Sequence, residues 1–298
     1  MLNKILLVAL GVALAFGALM IGVRLDTRGT ERGVSGADPI ADQGQATVPE
    51  ASGRNEGKDV LKHTVANLDE LRKDAEGGDA RAQNSLGMCY AKGTGVPKDH
   101  VEAAKWYRRA AEGGLAEAQR NLGLCYDRGE GVTQDYLEAV KWYRQAAEQG
   151  DVEAQFELGA SYAAGEGAPK DLAEAVKWLR KAALQGSTDA QFRLGLSYAL
   201  GEGVAKDQRE AIKWYRMAAE QGDADAQFYL GVCYRLGEGI AQDHAQAVKW
   251  FRKAAEQGLA EAQYSLGVCY YRGEGVPQDS AQATVWFKKA EDQRGPHA

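Results

Sequence analysis

Five carboxylates, Glu130, Glu166, Glu202, Glu238 and Glu274, each stand between two glycines in the same Gly-Glu-Gly segment. Acid–base catalysis needs two carboxylates whose different surroundings around one cleft push their pKa values apart. Five equivalent surroundings supply no such pair, so these residues read as turn residues. Gly-x-Gly segments can also cradle phosphate, but a phosphate loop follows a strand and places a lysine at Walker spacing, and neither is present. The histidines are His63, His100, His244 and His297. They form no H-E-x-x-H motif and no Cys/His pair, so no zinc site is expected. No Ser, Cys or Lys stands in a recognisable nucleophile motif. The sequence nominates no catalytic residue, no metal site and no cofactor.

The thiols point the same way. Cys89, Cys125, Cys233 and Cys269 are spaced by 36 or multiples of it, and Ser161 and Ser197 fill the two intervening slots. Interchange with serine marks a small packing position. A helix pair separates equivalent positions, and helix axes stand ~8–10 Å apart per step. The Cα atoms should therefore exceed the roughly 7 Å that a disulfide allows. Free, buried thiols are expected, with no disulfide or ligand role.

The elements behind this spacing are six copies of a 36-residue unit. Leu86, Leu122, Leu158, Leu194, Leu230 and Leu266 recur without insertion or deletion, each followed by glycine. A tyrosine recurs as Tyr90, Tyr126, Tyr162, Tyr198, Tyr234 and Tyr270, and all six tryptophans fall in register at 106, 142, 178, 214, 250 and 286. A fixed period of this length marks a solenoid, whose units bury apolar faces only against their neighbours.

In the copy 115–150, Ala118, Leu122, Cys125 and Tyr126 share one stripe at helical spacing, which predicts a first helix over about Ala116–Arg128. Gly129 ends it and Gly-Glu-Gly-Val turns the chain. Asp135 caps a second helix, and Glu138 completes a capping box. That helix is expected to bury Ala139, Trp142, Tyr143, Ala146 and Ala147 and to stop at Gly150. Residues 58–78 match the second half of a unit, with Leu71 at the Tyr107 position and Glu70 in place of tryptophan. They read as an N-terminal capping helix, and 79–298 as the six repeats. At the other end Glu291 replaces the second alanine of the Ala-Ala pair, so that helix should face water.

Composition limits the partners. Apolar content of 45%, charged content of 26% and a net charge of −6 suit an ordinary folded chain, and no basic patch speaks for nucleic acid. Residues 5–23 are a run of 19 apolar residues between Lys4 and Arg24. At ~1.5 Å per residue the run nearly matches a ~30 Å hydrocarbon core. Segment 1–24 reads as a transmembrane anchor or an uncleaved signal, a cleaved signal peptide being the alternative. Residues 25–57 read as a disordered linker. The solenoid is expected outside the cytoplasm, in the periplasm if the cell is bacterial. Secretion after cleavage, or a solenoid facing the cytoplasm, are the other topologies.

The repeated pattern A-x-A-Q-x-x-L-G-x-x-Y-x-x-G-x-G-V-x-x-D-x-x-x-A-x-x-W-Y-R-x-A-A-x-x-G resembles the Sel1-like repeat, a relative of the tetratricopeptide repeat, over 79–294. The resemblance implies an all-α, right-handed α/α solenoid whose first helices line a concave face. It also implies an adaptor that holds protein partners together. A cysteine-rich branch with paired disulfides per repeat has been linked to β-lactam binding. This chain has at most one cysteine per repeat and departs from that branch.

The positions that vary between copies are the informative ones. Opposite the buried stripe, the residue after the constant glutamine reads Asn84, Arg120, Phe156, Phe192, Phe228, Tyr264. The next position on that face reads Met88, Leu124, Ala160, Leu196, Val232, Val268. These form an apolar, aromatic strip over repeats three to six, the kind of surface that marks a partner site. Packing of the same rings between adjacent first helices is the alternative. Arg235 and Tyr271 complete the set, and Arg81, Arg120, Arg128, Arg235 and Arg272 could hydrogen-bond a peptide or carboxylate. The expected function is a monomeric scaffold, anchored or exported, that binds a protein or peptide in its groove. A cell-envelope hydrolase or β-lactam-binding enzyme is the alternative. Catalysis would break the repeat symmetry, and the sequence keeps it.

Overall fold

The computed structural model describes residues 68–294. The apolar run 5–23, the linker and the first part of the capping segment lie outside these residues. Among the described residues no helix is long and apolar enough to cross a membrane.

Thirteen helices and no strand are found among the described residues. A leading helix α1 (Leu68–Glu76) precedes six helix pairs: α2 (Ala80–Lys92) and α3 (His100–Glu112), α4 (Ala116–Arg128) and α5 (Tyr136–Glu148), α6 (Val152–Ala164) and α7 (Leu172–Leu184). Then follow α8 (Thr188–Leu200) and α9 (Gln208–Glu220), α10 (Ala224–Leu236) and α11 (His244–Glu256), α12 (Ala260–Arg272) and α13 (Ser280–Arg294). Each helix packs on its neighbours in sequence. The result is an α/α solenoid in which α1 occupies the place of a second helix ahead of the first repeat.

The boundaries follow from local chemistry. Each first helix ends on a glycine in the left-handed region, such as Gly129 at φ 68°, whose N–H returns to the carbonyl of the cysteine or serine slot. The next glycine has a second reason to be there. A Cβ on Gly131 would stand 1.9 Å from the carbonyl oxygen of His100, so the turn of each unit lies against the second helix of the unit before it. Asp99, Asp135, Asp171, Asp207, Asp243 and Asp279 then cap the second helices through side-chain oxygens that accept from N–H groups in the first turn. The capping box is only half formed. The backbone N–H of Asp135 donates to the carbonyl of Tyr126, not to Glu138, and Glu138 turns forward to Lys141.

The core is one alanine-rich seam between the two helix layers. Leu86, Leu122, Leu158, Leu194, Leu230 and Leu266 have no exposed surface. Trp106, Trp178, Trp214 and Trp250 are buried, whereas Trp142 and Trp286 are only half-buried. For Trp286 the terminal position accounts for this. For Trp142 it corrects the expectation of full burial. Arg109, Lys181, Lys253 and Lys289 stack over Trp106, Trp178, Trp250 and Trp286, and in repeats two and four Gln145 and Met217 take the place of that cation. Glu291 is exposed while its neighbour Ala290 is buried.

Candidate partner-binding face

Several constant residues join repeat to repeat. The glutamine of the A-x-A-Q segment is buried in all six units. Its amide donates to the carbonyl of the second alanine in the preceding pair: Gln119 to Ala111 at 3.2 Å, Gln155 to Ala147, Gln191 to Ala183 and Gln227 to Ala219 each at 3.1 Å. Gln83 does the same to Ala75 of α1 at 3.0 Å, which fixes that helix in register. A glutamine at the end of the second helix then donates to the side-chain oxygen of the first: Gln149 to Gln119, Gln185 to Gln155, Gln221 to Gln191 and Gln257 to Gln227. The constant tyrosine also faces its neighbour. Arg108, Arg144, Arg180, Arg216 and Arg252 donate to the hydroxyls of Tyr126, Tyr162, Tyr198, Tyr234 and Tyr270 in the following repeat. These residues hold the array together and leave the variable ones to do anything else.

The first helices stand side by side, as the bond from Asn121 to Asn84 at 2.9 Å shows for α4 and α2. The predicted strip lies on this face, but it is part surface and part wedge. Phe156, Phe192, Phe228 and Tyr264 are half-buried. Phe192 lies 6.0 Å from Tyr215 of its own repeat and 5.6 Å from Tyr229 of the next. Phe228 touches Tyr229 and Phe251, and Tyr264 touches Phe287. Leu124 and Leu196 are half-buried against the core.

Three nominated residues need restating. Val232 is 7% exposed and belongs to the core, because the α10–α12 seam closes over it. Arg120 is engaged: its Nε lies 3.2 Å from Asp151, the N-cap of α6, so it ties two repeats together. Arg235 stacks its guanidinium 5.8 Å from the Phe251 ring centre, and its Nε is buried without a partner. Tyr271 is freely exposed at 46%, and Leu200 and Leu236 beside the same edge are exposed as well.

A further variable column lies beside the aromatic row. The residue following the aromatic row is Ser85, Asn121, Glu157, Arg193, Tyr229 and Ser265, and it varies as much as the row beside it. That variation was the available signal. Tyr229 stacks on Tyr215 at 5.6 Å, joining the aromatic rows of repeats four and five.

The electrostatics follow burial. Burial, with Asp127 adding repulsion, pushes the carboxyl of Glu157 up to about 7, against the opposing pull of Arg128 and Arg120. Asp127 is raised by burial and then by Glu166, and Asp225 by burial and then by Glu261. The four cysteines are buried and free. Burial pushes Cys125 up to about 12 and Cys233 and Cys269 to about 11, which keeps them as thiols at neutral pH and poor nucleophiles. Glu130 is exposed in its turn, 3.8 Å from His100. Among the described residues no group of three His, Cys, Asp or Glu side chains could hold a metal ion.

The Sel1 repeat profile matches residues 80–115, 116–151, 152–187, 188–223, 224–259 and 260–294. Among solved structures, a protective antigen of uropathogenic Escherichia coli strains with this repeat fold is 44% identical over 76% of the chain, with a TM-score of 0.74. The match covers 49% of the antigen, so the chain spans about half its length. A Sel1 repeat protein from Oxalobacter formigenes is 36% identical, with a TM-score of 0.67, over 79% of this chain and 92% of that one. Comparison with curated proteins returns no match. Proteins built from this repeat are typically non-enzymatic and generally mediate protein–protein interaction. With six units in unbroken register and these relatives, the chain belongs to the Sel1 repeat family.

Proposed function

We propose that the chain is a monomeric interaction scaffold whose first-helix face binds a protein or peptide partner, held at a membrane or exported through residues 5–23 with the solenoid outside the cytoplasm. One observation carries the reading. The glutamines and tyrosines that join repeats recur from copy to copy, while adjacent rows of the first-helix face vary and bring together half-buried aromatics, exposed Leu200, Leu236 and Tyr271, and charged groups. A face that brings aromatic and charged groups together in this way suits recognition, where aromatic and arginine anchors contribute most of the binding energy.

Photo-crosslinking in the native cell tests it. A benzoylphenylalanine placed at Leu200 or Tyr271 of the full chain should yield discrete protein adducts. The same probe at Lys213 or Lys249, exposed on second helices, should not. Equal adduct patterns from both faces would refute the reading. Deletion of residues 5–23 should release the chain to the soluble fraction, and retention at the membrane would refute the anchor.

A further inference from the structure

One place on the first-helix face holds two half-buried carboxylates that form no ion pair among the described residues. Tyr143 is 1% exposed, its ring pressed on Gly123, and its hydroxyl is buried with no hydrogen-bond partner. The register shows what surrounds it. In repeats four and five, Tyr229 stacks on the ring of Tyr215; in repeat five, Arg235 lies over the ring of Phe251. Tyr143 is the equivalent of both rings, Glu157 the equivalent of Tyr229 and Asp127 the equivalent of Arg235. The two carboxylates therefore approach the phenol from α6 and α4, and both act on its hydroxyl electrostatically. Neither carboxylate has an ion pair or a side-chain hydrogen bond among the described residues: Asp127 accepts only through its backbone carbonyl, from Gln134, and Glu157 only through its backbone carbonyl, from Ser161. Arg120 and Arg128 act on the carboxylates from a distance without an ion pair to either: Arg120 is held by Asp151 and Arg128 is exposed at the end of α4.

The geometry points to a recognition site for one cationic side chain, lysine or arginine, of a protein partner, in the seam between α4 and α6. Half-buried carboxylates without a partner are costly, and a cation with several N–H donors removes that cost. The ammonium or guanidinium donates to Glu157 and Asp127, and neutralising them relieves their repulsive effect on the buried, unpartnered Tyr143 hydroxyl. Half-buried Leu124, packed on the cluster that contains Tyr143, offers an apolar wall for the aliphatic stem. Two carboxylates and a phenol are too few hard oxygens for a calcium cage. The raised carboxyl of Glu157 is in keeping with this, because burial and then Asp127 disfavour its charged form by more than Arg128 and Arg120 favour it. Asp127, Asp189 and Tyr143 face it alongside Arg128 and Arg120, so cation binding should strengthen as pH rises through about 7. The inference deepens the scaffold reading and rests on it.

The test uses the full chain in neutral detergent with carbon-13 at its Asp and Glu carboxyls. The probes are Nα-acetyl-lysine-methylamide and its uncharged analogue Nα-acetyl-norleucine-methylamide. The lysine probe should shift the Glu157 and Asp127 signals and lower the titration midpoint of Glu157, and the norleucine probe should do neither. Glu157→Gln or Asp127→Asn should weaken the lysine response about tenfold, the loss of one charged hydrogen bond. Asp225→Asn should leave it unchanged. Glu157→Gln should also raise the unfolding temperature, which shows that the variant folds. Equal shifts from both probes, an undiminished response in Glu157→Gln, or a response to calcium in place of lysine would each overturn the site. If it is overturned while cellular crosslinks still map to the first-helix face, only the cation site is lost. If the crosslinks map elsewhere, the scaffold reading falls with it.

Discussion

Gln185 donates its side-chain amide to the side-chain oxygen of Gln155 at 2.8 Å, thirty residues back in the chain. Gln155 in turn donates to the carbonyl of Ala147 at 3.1 Å. Exposed Gln185 thus satisfies buried Gln155, which in turn satisfies a carbonyl of the alanine seam, and the pattern recurs along the array. Buried polar groups of this kind stabilise little when complete and cost much when broken. Gln155→Ala should lower stability by about 1–3 kcal/mol. Gln263→Ala should cost less, because the Gln263 side-chain oxygen already lacks a partner. Urea unfolding of both variants checks this, and equal midpoints would contradict it.

Glycine of the Leu-Gly pair is needed for contact, and the contact differs between repeats. A Cβ on Gly195 would stand 2.6 Å from the ring of Tyr215, but on Gly159 it would stand 3.0 Å from the branched carbon of Leu179. Gly195→Ala should therefore cost about 1–3 kcal/mol through overpacking, and Gly159→Ala less. Tyr215→Leu should partly rescue Gly195→Ala. A double-mutant cycle on unfolding free energies that shows simple additivity would refute the contact.

Trp178 is buried with Lys181 3.6 Å from its ring centre and with its Nε1 donating to Glu174 at 3.0 Å. Its replacement by alanine should cost about 3–5 kcal/mol. Trp142→Ala and Trp286→Ala should cost less, since both rings are half-buried. Three equal losses by denaturant unfolding would contradict this order.

The helix boundaries were legible because their signals are local. A left-handed glycine ends each first helix and an aspartate starts each second one, so the expected span Ala116–Arg128 is the observed one. What was not legible depends on neighbours across the repeat boundary. The constant tyrosine lay on the expected apolar stripe, yet its hydroxyl serves the arginine of the unit before it. The constant glutamine reads as polar surface until the carbonyl it meets is known. Arg120 counted as free for a ligand because Asp151, the N-cap of the next helix, is thirty-one residues away in the chain. The column of Glu157 and Tyr229 was missed because the positions taken as outward, 81, 84, 88 and 91, step over it. Which variable side chains wedge and which stay open depends on the spacing of adjacent helices.

Glu157 also makes stability depend on pH. Its carboxyl is raised in the folded chain to about 7, above its ordinary value, so the folded state holds a proton that the unfolded state has released. The stabilisation is complete below the unfolded value and is lost as pH rises through about 7. Melting temperatures should fall from pH 5 to pH 8 more in the wild type than in Glu157→Gln. Identical profiles for the two proteins would show that Glu157 titrates normally.

Partners are expected to sit on the first-helix face. Hydrogen exchange of the full chain, with and without the protein captured by crosslinking at Tyr271, tests it most directly. The account predicts new protection in the first helices of repeats three to six, α6, α8, α10 and α12, with α5, α7, α9 and α11 unchanged. Protection confined to the second helices, or to α13 alone, would contradict it.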